Sequence, residues 1–281
     1  MITDLQTNVV YFSNSLTKEF PNEFNELKKI IDDAGYSVKV LDGTKDFYCR
    51  DFMPVQISST DFVQFIFRPK EYLKGKQLNY LSNPIYVELM SKIPQPRYSP
   101  IILDGGNIIK WENKVIITDR VLKDNRYQFQ NDEAIIERLK FDLNCEVILI
   151  PEYPKEKTGH ADGLVRFIDS NSVFINDLEN DPEKMWQYKF SQVLKTHKLQ
   201  YKELPCELDE KKKTAEGLYI NYLHLGNLIV VPQFGMEPSD NMALSTFDEV
   251  FGKTHQVVPF KANWIAENGG VFNCASWTVK D

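Results

Sequence analysis

From Asn22 onward the sequence alternates an amphipathic helical pattern with a short apolar strand, and it does so five times. Helices are predicted to start near Asn22, Asn83, Asp132, Asp181 and Asp240, so the unit recurs roughly every 50–60 residues, the scale of a supersecondary repeat. The first helix sets Phe24, Leu27, Ile30 and Ile31 on one face and stops at Gly35, a residue suited to a left-handed C′ position. The third gathers Ile135, Ile136, Leu139 and Leu143, and the fifth runs through Ala243, Leu244, Phe247 and Val250 to Gly252. Asp181-Pro182 reads as an N-cap followed by proline at the first helical position. The second helix, around Tyr86 to Ile93, has the weakest periodicity. Strands are predicted after every helix, at Ser37–Leu41, Ser99–Leu103, Cys145–Ile150, Gln200–Leu204 and Gln256–Phe260. Further strands fall between them at Phe62–Phe67, Lys114–Thr118, Ser172–Asn176 and Asn227–Val231. No Pro/Gly/Ser-rich linker divides the chain, so residues 1–281 read as one α/β domain of five strand-rich units around a pseudo-axis. Lys211-Lys212-Lys213, flanked by Asp209 and Glu210, reads as a solvated loop.

Charge narrows the partners. With 33 Lys+Arg against 40 Asp+Glu the formal net charge is −7. That acidity argues against nucleic acid or an anionic membrane as a partner. Apolar runs such as Val147–Ile150 and Leu228–Val231 are strand-sized, far short of the roughly 18 residues of a membrane span. Met1–Leu5 has neither the basic start nor the apolar block of a signal peptide, so a soluble cytoplasmic protein is expected. Cys49, Cys145, Cys206 and Cys274 lie far apart with no C-x-x-C pair, which does not suggest a disulfide framework. Cys145 reads as a strand-entry core residue, and Cys206, beside Pro205, is uninformative. Cys49 and Cys274 stand among residues that are odd choices for a core.

Four loops carry the chemistry. They are Tyr48-Cys49-Arg50-Asp51-Phe52-Met53-Pro54, Leu103-Asp104-Gly105-Gly106-Asn107-Ile108, Thr158-Gly159-His160-Ala161-Asp162-Gly163 and Glu267-Asn268-Gly269-Gly270-Val271-Phe272-Asn273-Cys274. Taken singly each has an ordinary reading as turn punctuation, a surface ion pair or a terminal core residue. Together they supply a thiol, an imidazole and separate carboxylates beside Gly or Pro, where backbone approaches a ligand closely. Carboxylates are the best partners for a planar guanidinium, whose N–H groups form fork-like, charge-assisted bonds. Two aspartates facing one cavity repel, and the pKa of at least one rises until a cation enters. A thiolate can then attack the central carbon, with histidine protonating the departing nitrogen and later deprotonating water. A papain-like acyl hydrolase also uses Cys and His but does not require two carboxylates facing its substrate. A metal site from Cys49, His160 and Asp162 has no short ligand spacing behind it.

In this order, the four loops resemble the agmatine deiminase and bacterial peptidylarginine deiminase family of guanidine-modifying enzymes. Arg50-Asp51-x-x-Pro54 resembles the family's R-D-x-G-P segment, and Asp104-Gly105-Gly106-Asn107 its acidic-G-G segment. Gly159-His160-Ala161-Asp162 with Arg166-Phe167 is similar to G-H-x-D…R-F, and Gly269-Gly270…Cys274 to the terminal glycine-cysteine segment. Tyr219-Ile220-Asn221, followed by Val230-Val231-Pro232, resembles the stretch before the last unit. The resemblance implies a five-bladed, pseudo-symmetric α/β-propeller (pentein) fold of repeated ββαβ-type units. It implies Cys274 as nucleophile, His160 as general acid/base, and Asp51 and Asp162 as guanidinium-binding carboxylates. Asp104 and Asn107 would shape the pocket or hold another part of the substrate. The expected substrate is a small guanidino compound or an arginine side chain, with no organic cofactor, no metal, and a homodimer as the assembly. An amidinotransferase or dihydrolase would share the covalent intermediate. A non-catalytic binding protein of the same fold would not need the Cys/His/Asp/Asp set. Three positions depart from the family pattern: Met53 and Asn268 stand where glycine is usual, and Asn273 replaces the histidine before the cysteine.

Overall fold

A computed structural model describes residues 1–70, 75–179, 181–208 and 214–281, so the Lys211-Lys212-Lys213 loop lies outside the described residues. The strands form five sheets of three, and all five share one plan. A short first strand pairs antiparallel with a central strand, a helix follows, and a third strand returns parallel to the central one. The central strands are rich in β-branched and aromatic side chains: Val9–Ser13, Phe62–Ile66, Lys114–Thr118, Ser172–Asn176 and Leu228–Gln233. Such side chains fit a pleated surface buried on both faces. Lys114–Thr118 runs in register with Glu146–Ile150, and Ser172–Asn176 with Gln200–Leu204. The third strands are half exposed, as expected of sheet edges.

The first sheet is assembled from both ends of the chain. Ser276–Val279 pairs antiparallel with Val9–Ser13, Val9 opposite Val279, and Ser37–Leu41 closes the other side. Neither end strand was predicted, because each is too short to show a period without its partner. The short first strands Val55–Gln56, Ile109–Trp111, Val165–Phe167 and Leu223–Leu225 escaped prediction for the same reason.

The helices sit where their periodicity places them. Pro21–Asp33 buries Phe24, Leu27 and Ile31, each contributing about 1.5–3 kcal/mol, and Gly35 follows with φ +85°. Asn83 caps Pro84–Met90 by accepting from Tyr86 N at 3.2 Å, and Asn131 caps Asp132–Leu143 by accepting from Ala134 N at 2.8 Å. The fourth helix corrects the sequence reading. It begins at Lys184 with Glu183 as N-cap, because Asp181 Oδ1 accepts from Glu183 N at 2.7 Å and forms a turn ahead of the helix. Cys49 is a second correction: it is fully buried, and its thiol donates to the carbonyls of Ala275 (3.1 Å) and Tyr11 (3.5 Å). Among the described residues, no helix is long and apolar enough to cross a membrane.

This plan dictates where a site can form. Each sheet's third strand hands the chain to the next sheet's first strand through a link, and ligands in parallel α/β sheets bind beyond the carboxyl ends of the strands. Five such links exist. They carry, in order, Asp51, Asp104, His160 with Asp162, Asn221, and Cys274.

Candidate active site

Cys274 stands on the four-residue helix Phe272–Ala275, and Asn221 pins that turn in place. The Asn221 side-chain oxygen accepts from Val271 N and Cys274 N, both at 3.2 Å, and its backbone oxygen accepts from Asn273 N at 3.1 Å. The Asn221 amide then donates to Cys274 Sγ at 3.1 Å. A fully buried asparagine with every polar group occupied is a rigid support. From the other side, Asp162 Oδ2 accepts from the Cys274 thiol at 3.2 Å and from Asn273 Nδ2 at 2.7 Å. Asp162 is only 2% exposed, so its carboxylate has little solvent to share.

His160 lies between two further carboxylates. Its Nε2–H donates to Asp104 Oδ2 at 3.2 Å, and its Nδ1 is 3.6 Å from Asp51 Oδ1. Asp51 Oδ1 also accepts from Gly106 N at 3.0 Å, while Asp162 N donates to Gly106 O at 3.0 Å. Gly106 thus stitches the two halves of the site together, and no other residue fits there. A Cβ at that position would lie 2.5 Å from Asp51 Oδ1 and 2.6 Å from His160 Nδ1. Glu156 fixes the histidine loop by accepting from Thr158 N (2.9 Å), His160 N (3.2 Å) and Gly159 N.

Asn107 supports the same loop from behind. Its Oδ1 accepts from Thr118 N at 2.9 Å, and Thr118 Oγ1 donates to Gly159 O at 2.6 Å. Asp104 keeps its other oxygen, Oδ1, buried and without a hydrogen-bond partner among the described residues. A buried acceptor left open in this way is suited to a ligand N–H.

The electrostatics follow from five ionisable groups packed together: Asp51, Asp104, His160, Asp162 and Cys274. Burial, together with the charges of Asp104 and Asp162, pushes the Asp51 carboxyl up to about 8, against the pull of His160. Burial opposes a charged His160, but Asp51, Asp104 and Asp162 outweigh it and hold the imidazolium up to about 10. The Cys274 thiol is driven well above its ordinary value by burial and by the neighbouring Asp162 and Asp51 carboxylates. Among the described residues no Lys or Arg bonds to Asp51, Asp104 or Asp162. Among the described residues the His160 imidazolium alone faces three carboxylates, so the site favours a further cation.

The sequence profile of the Porphyromonas-type peptidyl-arginine deiminase family matches residues 9–279. The chain belongs to that family. It is thereby a member of a family of cysteine-dependent, hydrolytic deiminases acting on guanidino groups. No curated protein matches it by sequence. Among solved structures, the agmatine deiminase of C. jejuni superposes with a TM-score of 0.79 at 18% identity, covering 100% of this chain and 95% of its own. The agmatine deiminase of Enterococcus faecalis gives 0.73 at 17%, with 99% and 94% covered. DDAH from Pseudomonas aeruginosa gives 0.61 at 11%, with 98% and 100% covered. At these identities the likeness is one of fold, the α/β fold of five small sheets.

In this deiminase family member Cys274 contacts Asp162, and His160 contacts Asp51 and Asp104, the two groups being joined through the Gly106 backbone. Asn107 stands behind that set, with its side-chain oxygen occupied by Thr118 N. The trio Cys49, His160 and Asp162 does not assemble, and among the described residues no group of His, Cys, Asp or Glu is placed to hold a metal. Two residues that the sequence reading names only as motif positions, without a role, matter for the geometry. Asn273 ties the nucleophile's turn to Asp162, and Asn221 buttresses it. The signal for Asn221 was present: a lone amide inside the apolar run Leu218-Tyr219-Ile220-Asn221-Tyr222-Leu223 needs a built set of partners.

Proposed function

We propose that this deiminase hydrolyses a small guanidino compound, such as agmatine, to the ureido product and ammonia. The observation that carries the reading is the 3.2 Å contact between the Cys274 thiol and Asp162, beside two further carboxylates that share only the His160 imidazolium. A carboxylate beside a thiol disfavours the thiolate. The pairing works for catalysis only when a cation enters, neutralises the carboxylates and presents its electrophilic carbon to the sulfur. Substrate thus activates its own nucleophile. The C. jejuni agmatine deiminase has been captured with substrate bound as a cysteine-to-serine variant, in keeping with a sulfur that is needed for turnover rather than for binding.

The steps balance as follows. As the cationic substrate enters, the Cys274 thiol loses its proton to solvent and its sulfur bonds to the guanidinium carbon, while the His160 imidazolium protonates a terminal nitrogen, which leaves as ammonia. The product of this half-reaction is a cationic S-alkylthiouronium on Cys274. Water then adds to the same carbon with His160 taking a proton, and the C–S bond breaks to release the ureido compound and the free thiol. Asp51 and Asp162 hold the guanidinium N–H groups, and Asp104 holds the imidazolium and offers its open Oδ1. The architecture that supports this reading is a propeller of five blades about a pseudo-fivefold axis, with residues 1–281 as a single catalytic domain. Cytoplasmic location and a homodimer complete the proposal.

The test is to offer purified protein a panel of guanidino compounds, with and without a carboxylate, and to quantify ureido product and ammonia together. Equal amounts of both support hydrolysis. Ammonia without a ureido product, or neither from any compound, sinks it. The pH profile of the active compound follows from the site. kcat/KM reports groups of the free enzyme, and a cation binds best once Asp51 has lost its proton. Because that proton leaves near pH 8, kcat/KM at pH 6 is expected to lie on the order of 100-fold below its value at pH 9. Activity should fall again above about pH 10, where His160 loses its proton. A profile flat from pH 6 to 9 would contradict the assignment of Asp51.

A further inference from the structure

Arg50 and Asn273 each precede a catalytic candidate by one residue, and both residues line a separate recess that the proposed chemistry does not use. Its cavity volume is about 20 Å³, room for a single water-sized group, and its other polar walls are Asp4, Lys110, Arg166 and His224. Asp4 is the single acid among these described lining residues. Arg166 is already hydrogen-bonded through both terminal nitrogens: it donates to Tyr222 O at 3.1 Å and to Asp4 Oδ2 at 3.0 Å, and its guanidinium stacks 4.5 Å from the Tyr222 ring centroid. Lys110 is not. Its ammonium reaches no closer than 3.8 Å to Asp4 Oδ1, although its side chain is 92% buried. Arg50 donates through Nε to Asn273 O at 3.2 Å, and its two terminal nitrogens have no partner among the described residues. Burial holds His224 neutral, with its pKa lowered to about 4.

Three cations therefore share one carboxylate, leaving two positive charges without a counter-charge in a largely enclosed space. Uncompensated buried charge is costly. Burial, with repulsion from Arg50 and Arg166, brings Lys110 down to about 8, so it is still mostly protonated at neutral pH. The donors left open are an ammonium and the end of a guanidinium, both lining the recess. A carboxylate or phosphate would suit the guanidinium fork, but a cavity of about 20 Å³ admits only a water-sized group and so selects a halide. We propose that this recess binds one small monovalent inorganic anion of halide size, held between Lys110 and Arg50, directly behind the turn that carries the nucleophile. The anion compensates part of the excess charge. It also fixes Arg50, and through the Arg50–Asn273 bond it steadies the residue whose amide donates to Asp162.

The experiment measures thermal unfolding of the full chain in sodium gluconate, replaced stepwise by sodium chloride or bromide at constant ionic strength. Gluconate is too large to enter. A ligand that binds only the folded state raises the melting temperature in proportion to the logarithm of its occupancy term. Halide is expected to raise the melting temperature by several degrees at about 100 times its dissociation constant, and Lys110→Gln is expected to weaken that response at least tenfold in halide concentration. Crystals soaked in bromide should show an anomalous peak between Lys110 Nζ and the Arg50 guanidinium. Identical melting in gluconate and halide, or an undiminished response in Lys110→Gln, overturns the proposal. If that variant does not fold, the bromide map of the parent protein decides: a recess without anomalous density overturns it.

Discussion

Cys274→Ala is expected to abolish ammonia release, with kcat lower by on the order of 10⁶, the scale seen when a hydrolase loses its nucleophile. The reason is specific to the thiol. No other group in the recess can form a covalent bond to a guanidinium carbon and then leave, and the carboxylates are held as cation partners. The fold should survive. Cys274 contributes one accepted bond from Asn221 and one donated bond to Asp162, and both partners keep other contacts after the change. Asn221 still holds Val271 N and the backbone of residue 274, and Asp162 still holds Asn273. The melting temperature is therefore expected to stay within a few degrees of the parent's.

The parent enzyme supplies the complementary observation. Acid quench during turnover should trap a Cys274 adduct whose mass is that of the substrate less ammonia, mapped to the C-terminal peptide. Cys49, Cys145 and Cys206 should carry none. Cys49 is fully buried with its sulfur against two carbonyls, and burial pushes the Cys145 and Cys206 thiols up to about 11 and about 12. Turnover by Cys274→Ala at the parent's rate, or an adduct on another cysteine, ends the mechanism.

Much of this architecture is legible in the sequence because the central strands and long helices announce themselves by period. Ser37–Leu41, Lys114–Thr118, Ser172–Asn176 and Gln200–Leu204 coincide residue for residue with the observed strands. What escaped is whatever depends on a distant partner. Val9–Ser13 and Ser276–Val279 become strands because they pair across the whole length of the chain, which no local window can register. The site divides along the same line. Its four recognised loops carry Gly or Pro near a reactive side chain, a local signature. The remaining link, fourth in chain order, carries Asn221, whose importance lies in three bonds to residues fifty positions away. Cys49 failed in the opposite direction. Its polar neighbours Arg50 and Asp51 suggested a site, but positions two apart on a helical turn point roughly 200° apart, so Asp51 faces the site while Cys49 enters the core. Convergence of all five links in one place is a property of the repeat, and it explains why a weak motif in each link amounts to a strong site together.

Asp162→Asn should separate two consequences of one carboxylate that act in opposite directions. As a guanidinium partner Asp162 is essential, and losing one member of a buried, hydrogen-bonded charge pair costs about 2–5 kcal/mol. kcat/KM is thus expected to fall by roughly 30- to 4,000-fold, with KM rising and kcat falling together. As a neighbour of the thiol, however, Asp162 is the largest contributor after burial to the raised pKa of Cys274. Replacing it with a neutral amide of the same shape lowers that pKa, so the substrate-free variant should react faster with iodoacetamide at pH 7 than the parent does. Peptide mapping would show the extra alkylation on Cys274 alone. A purely structural role for Asp162 predicts the reverse pattern, in which a loosened turn exposes several cysteines and the melting temperature drops. Faster alkylation with collapsed turnover is the signature of a carboxylate that restrains the sulfur until a cation arrives. Slower or unchanged alkylation of Cys274, or turnover within a few-fold of the parent, would mean that the 3.2 Å contact does not control the nucleophile.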